Sequence, residues 1–187
     1  MTHSDDQGLV LPPKLAPVQV VIIPILKGDD HGPVLEKADA VRDALAEKGI
    51  RTKVDSRDYL SPGNKYYEWE RKGVPLRMEI GPKDMELGQV VLAKRVRFEE
   101  EPRKEFVLES EALATLVDRL DTFQAQLFEA AKTRREENSY RSVNDLGELA
   151  EILNTTGGYV YTGWSGDPAV EERIKEESKA TLRCIPE

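Results

Sequence analysis

The chain has 187 residues, 39% of them apolar and 33% charged, with a net charge of −8. That length holds one large domain or one domain plus a small one, and no apolar run approaches the ~18 residues a membrane span requires. The polar, acidic opening Thr2–Gln7 is not a signal peptide, and the single cysteine, Cys184, excludes an internal disulfide and suits a reducing cytosol. The acidity argues against a dedicated nucleic-acid binder with a basic stripe. Local basic runs exist at Lys94–Arg97, Arg103-Lys104 and Lys132–Arg135, and each reads first as a solvated face.

Residues 1–17 read as a linker-like lead, extended by Pro12, Pro13 and Pro17. His3, Asp5 and Asp6 have no second ligand cluster nearby, so no metal site is expected from them. Val18–Ile25 is nearly all apolar and β-branched, as in a strand buried on both faces. The loop 27–33 has glycines ahead of a helix, but lacks the Gly-Lys-Ser/Thr ending and the Gly-x-Gly-x-x-Gly spacing of phosphate cradles. His31 reads as a loop residue rather than a base.

Val34, Ala38, Val41 and Leu45 give the stripe of an amphipathic helix over 34–48. A strand over 51–56 follows, and the strand–helix–strand order implies a right-handed parallel crossover. A helix over 62–72 ends at Gly73, a residue suited to the left-handed conformation that closes helices. Leu76, Met78 and Ile80 then alternate with Arg77 and Glu79, the pattern of a half-buried strand with its two charges on the open face. Gly81-Pro82 closes that strand. Gln89–Arg95 is a further strand, 97–104 an exposed hairpin tip, and 105–108 an edge strand. The sum is an α/β domain: a mixed, mostly parallel sheet of about five strands flanked by helices.

Ser110 is placed to cap the longest helix, whose stripe is Leu113, Leu116, Val117, Leu120, Phe123, Leu127 and Phe128. Fraying at Lys132–Asn138 sets the expected domain boundary, giving 18–137 as the main domain and 138–187 as a small α+β unit. In the latter, Ser142 is a candidate cap for a helix reaching Leu153, Tyr159–Tyr161 a short strand, Asp167 or Ser165 the start of a charged helix, and 181–185 a last strand. Under 50 residues is little for an independent core, so docking on the main domain is expected.

Aromatics at helical spacing (Tyr66, Tyr67, Trp69) beside a charged strand face suit the reading of unpaired bases, by stacking and by forked hydrogen bonds. The plainer alternative is a surface helix with a buried tryptophan. Residues 68–84, Glu-Trp-Glu-Arg-Lys-Gly-Val-Pro-Leu-Arg-Met-Glu-Ile-Gly-Pro-Lys-Asp, resemble the anticodon-binding domain of prolyl-tRNA synthetases of the archaeal and eukaryote-like type, a class II synthetase fold. His3–Pro17 resembles the exit from that family's catalytic domain, which places a catalytic domain upstream and makes the chain look like a fragment or an internal-start product. Gly163–Asp167, Ile174–Glu177 and Arg183–Pro186 resemble its C-terminal domain. Three matches in order cover nearly the whole chain.

The resemblance implies recognition of proline tRNA on behalf of an ATP- and magnesium-dependent ligase, dimeric when complete, and cytoplasmic. It puts Tyr66 at a base-stacking position, and Glu70, Arg77, Lys83 and Asp84 at positions that touch the two guanines of proline anticodons. A carboxylate accepts from guanine N1 and N2, while Arg or Lys donates to O6 and N7. No catalytic residue and no cofactor are expected in the chain itself. Many family members hold zinc here through cysteines. Ser165 and Val170 stand at two of those places, and one cysteine cannot make a four-ligand site, so no metal is expected. Many also end in a tyrosine reaching toward the active site, for which Pro186-Glu187 has no counterpart. A catalytically silent interaction module reusing the fold is the alternative function.

Overall fold

The computed structural model describes residues 3–28, 30–98 and 101–183. They form two compact units, 1–128 and 129–187, divided within the longest helix and earlier than the expected boundary.

Unit 1 is built on five strands: β1 (Val20–Pro24), β2 (Thr52–Val54), β3 (Leu76–Ile80), β4 (Gln89–Lys94) and β5 (Glu105–Leu108). Their spatial order is β2-β1-β3-β4-β5. β1 pairs in parallel with β2 and β3, whereas β3–β4 and β4–β5 are antiparallel, so parallel pairing is confined to one half. β1 is buried along its whole length, as its unbroken apolar run requires.

One sheet face carries the larger core. Val20, Ile22, Leu76, Met78, Ile80, Val90, Leu92 and Val107 pack there against α1 (Gly32–Glu47) and α4 (Glu109–Glu137). The α1 stripe is the expected one, all four residues buried. In α4 the buried set is Ala112, Leu116, Leu120, Phe123 and Leu127, while Val117 and Phe128 from the expected stripe are exposed. Ser110 caps nothing: α4 starts directly after β5, and the Glu109 N–H donates to the Gly88 carbonyl at 3.0 Å. The helix also continues to Glu137 instead of fraying at 132.

The other face is covered in part by α2 (Pro62–Arg71), whose Trp69 packs with Val21, Ile23 and Val74. Ser61 Oγ caps α2 by accepting from the Asn64 N–H. Gly73 follows the C-cap with φ +74°, and a Cβ there would lie 2.8 Å from the Cβ of Leu9, so both the turn and the close approach demand glycine. Asp55 at the end of β2 ties α2 down. It accepts from Trp69 Nε1 at 2.7 Å and from Nε and Nη2 of Arg57, and its carbonyl accepts from the buried Lys65 Nζ at 3.0 Å.

The lead segment is not a loose linker. Val10 and Ala16 are buried, and Leu9 and Leu11 N–H groups donate to the Arg71 and Gly73 carbonyls. Arg51 donates to the Pro13 and Ala16 carbonyls, and Arg95 to the Leu9 carbonyl and the Asp5 carboxylate. The hairpin tip is partly folded back too. Phe98 meets Phe123 edge-on at 6.0 Å, and Glu101 accepts from Lys94 and Gln126.

Unit 2 pairs β6 (Ser139–Arg141) in parallel with β7 (Tyr159–Tyr161), and packs α5 (Leu146–Thr155) and α6 (Pro168–Ser178) around Val143, Leu149 and Ile174. β6 was not expected. The α5 cap is Asp145, which accepts from the Glu148 N–H at 3.0 Å, and Ser142 instead sits at φ +66°. Asp167 caps α6 as one of the two expected residues. Residues 181–183 are not strand, and Cys184 and Ile185 lie outside the described residues.

Candidate nucleic-acid interface

Directly opposed residues of paired strands share a face. On the α2 side of the sheet, Arg77 and Glu79 of β3 stand beside Ala93 and Val91 of β4, and Val91 beside Phe106 of β5. The two charges are not on a solvated face, as expected from the alternation. Arg77 is 8% and Glu79 5% exposed. A buried charge must be paired and hydrogen-bonded to persist, and these two are. Arg77 Nε donates to Glu79 at 3.1 Å, Arg77 Nη1 to Glu70 of α2 at 2.7 Å, and Lys104 Nζ to the other Glu79 oxygen at 2.6 Å.

Tyr66 of α2 closes this cluster. Its ring centroid lies 4.0 Å from the Arg77 guanidinium carbon and 5.1 Å from Lys104 Nζ. Burial pushes its phenol up, and the neighbouring Glu79 carboxylate adds to the rise. Tyr66 and Glu70 are one helical turn apart, which is why both face the same strand. The ring is thus held against two cations and is partly exposed.

The remaining candidates sit at the end of β3. Gly81 caps a short helix, α3 (Pro82–Glu86), absent from the sequence reading. Asp84 is its third residue. Its carboxylate accepts from the Gly81 N–H at 3.0 Å and from Gln89 Nε2 at 3.3 Å, so it has a local structural task. It is near enough to act on the Tyr66 hydroxyl electrostatically. Lys83 is exposed, and among the described residues no ion pair or side-chain hydrogen bond joins it to the cluster. The structure therefore brings Tyr66, Glu70 and Arg77 into contact, sets Asp84 beside them, and leaves Lys83 apart. Glu79 and Lys104 complete the cluster and were missed as site residues. Glu79 carried a signal, since it shares the parity of Arg77 on one strand.

Two other expected features resolve differently. Lys94 and Arg95, from a basic run, are consumed by contacts inside unit 1. His31 Nε2 donates to the Gly28 carbonyl at 2.9 Å within its loop. Among the described residues no group of three or more His, Cys, Asp or Glu side chains is placed to hold a metal ion. None of the described helices is long and apolar enough to cross a membrane.

The family described as anticodon binding domain matches residues 19–119, and that described as prolyl-tRNA synthetase, C-terminal, matches 146–187. The chain is similar to the proline–tRNA ligase of Rubrobacter xylanophilus, 44% identical over all of this chain and 38% of that protein. It is equally similar to that of Salinibacter ruber, 44% identical over all of this chain and 37% of that protein. A crystal structure of the prolyl-tRNA synthetase of Cryptosporidium parvum superposes with a TM-score of 0.84 at 38% identity, covering 95% of this chain and 37% of that one. The chain thus spans little more than a third of the length of these relatives. It belongs to the anticodon-binding domain family, in the form found in prolyl-tRNA synthetases with their C-terminal domain following.

Proposed function

We propose that unit 1 reads the anticodon of proline tRNA, so that a complete proline–tRNA ligase attaches proline to the right acceptor. The observation that carries this reading is the Tyr66–Glu70–Arg77 cluster: an aromatic ring and a carboxylate of α2 held side by side by an arginine of β3. Tyr66 stacks on an unpaired anticodon base. Glu70, one oxygen fixed by Arg77, accepts from the N1 and N2 hydrogens of guanine. Burial gives Arg77 a different part from the one expected of it, holding Tyr66 and Glu70 in place. Lys83, exposed and apart from the cluster on α3, is the donor for guanine O6 and N7 in this reading, with Asp84 next to it.

In the complete ligase, ATP, magnesium and proline belong to a catalytic domain that lies outside the matched regions, and the enzyme works as a cytoplasmic dimer. The relatives named above are all proline–tRNA ligases, which gives the alternative of a silent interaction module no support. The test is binding of the 187-residue chain to proline tRNA transcripts. Affinity that falls when either anticodon guanine is replaced supports the reading. Affinity indifferent to the anticodon overturns it.

A further inference from the structure

Phe106 is 65% exposed, on the edge strand of the sheet. Its opposite residue on β4 is Val91, and the opposite residue of Val91 on β3 is Glu79. The three side chains therefore stand in one row on the α2 side, with Phe106 two strand spacings, about 10 Å, from Glu79 along the backbone. Lys104, two residues before Phe106, already reaches back to Glu79 and to the Tyr66 ring. Leu108, 57% exposed, opposes Gln89, which bonds Asp84. An aromatic ring thus continues the candidate site sideways, with Lys104 on one side and the apolar Val91 and Leu108 beside it.

We propose that Phe106 is a second stacking platform, taking an unpaired base of the same RNA loop next to the one that Tyr66 stacks; this rests on the anticodon reading above. Aromatic rings spaced along a surface with interleaved cations are how single-stranded RNA is held without reading each base, because every base offers a π-face. The occupant is argued from the continuity of the row with Glu79 and with Lys104, which also reaches the Tyr66 ring. Phe106 adds affinity and fixes the path of the loop, while the guanine contacts supply selectivity.

The test uses the 187-residue chain and a proline anticodon stem-loop RNA, in native form and with each loop position outside the guanine pair made abasic in turn. Phe106→Ala is expected to bind the native loop about tenfold more weakly. Phe106→Leu, which keeps apolar bulk without a ring, should lose as much, and Phe106→Trp should restore binding. The Ala penalty should vanish with one abasic RNA. Melting curves of the variants should match the parent, since the ring is solvent-facing. Unchanged binding by Phe106→Ala with guanine replacement still costly overturns the second platform and leaves the reading intact. A penalty that Phe106→Leu rescues, or that survives in every abasic RNA, also overturns it. Loss of all dependence on the guanines overturns the reading itself.

Discussion

The guanidinium carbon of Arg77 on β3 lies 4.0 Å from the centroid of the Tyr66 ring on α2. With Glu70 and Glu79 as its acid partners, Arg77 joins the helix to the strand at the candidate site. Removing it leaves Glu79 buried with Lys104 alone. Breaking a buried pair costs about 3–5 kcal/mol because the leftover charge stays desolvated. Arg77→Ala should therefore lower the stability of the chain by about 3 kcal/mol in urea denaturation, whatever it does to RNA binding. A loss below ~1 kcal/mol would show the network to be incidental. Arg77→Lys should recover only part, since an ammonium lacks the fork that serves two carboxylates.

Tyr66 separates stacking from hydrogen bonding. Tyr66→Phe keeps the ring against the cations and should bind the proline anticodon loop nearly as well as the parent. Tyr66→Ala should cost about 1–3 kcal/mol of binding, the value of one base–aromatic stack. Equal losses in gel-shift or anisotropy titrations would mean that the hydroxyl, not the ring, is what matters.

Asp55 makes the fold sensitive to acid. Burial alone would push its carboxyl up, but the hydrogen bonds from Arg57 and Trp69 outweigh this and hold it at about 2. A carboxyl depressed in the folded state adds stability that is complete above its unfolded pKa, about 3.9, and is lost as pH falls through the folded value. The stability gap between the parent and Asp55→Asn should thus be constant above about pH 5 and shrink by ~2 kcal/mol on acidification to pH 2. A gap independent of pH over that range would show that Asp55 gains nothing from its partners.

The metal expectation is tested with a chelator. The sequence offers one cysteine and two histidines, and Ser165 and Val170 stand at two places where the resemblance implies cysteine ligands. Purified chain should carry no stoichiometric zinc, and EDTA should leave its melting temperature unchanged. Zinc at one equivalent, lost together with several degrees of stability, would mean that other side chains serve as ligands.

How much the sequence reveals depends on the kind of signal. The α1 stripe, the unbroken β1 run and the Gly73 stop are each dictated by burial or backbone conformation, and each stands where expected. Arg77 and Glu79 were misjudged because alternation reports only that one face is polar. Whether a helix lies over that face is decided by residues far along the chain, Tyr66 and Lys104 among them. Val117 and Phe128 failed for a different reason: each follows a buried leucine, Leu116 or Leu127, by one residue, which turns it about 100° round the helix and off the packed stripe. At α5 two caps competed. Asp145 with Glu148 three residues later is the capping-box pattern, and it outranks the lone Ser142. β6 was illegible because three residues of mixed polarity become a strand only by pairing with β7. Of the candidate site, residue types were legible and burial was not, since alternation alone does not show that Arg77 is 8% exposed.

The central claim is that Glu70 distinguishes guanine. The most direct measurement compares binding of anticodon stem-loops carrying guanine or inosine, which lacks the N2 amine, by the parent chain and by Glu70→Ala. The parent should prefer guanine, and the variant should lose about 1–3 kcal/mol on guanine and much less on inosine, so that the preference collapses. If Glu70→Ala weakens both RNAs equally, Glu70 supports the fold or the loop as a whole and does not read the base.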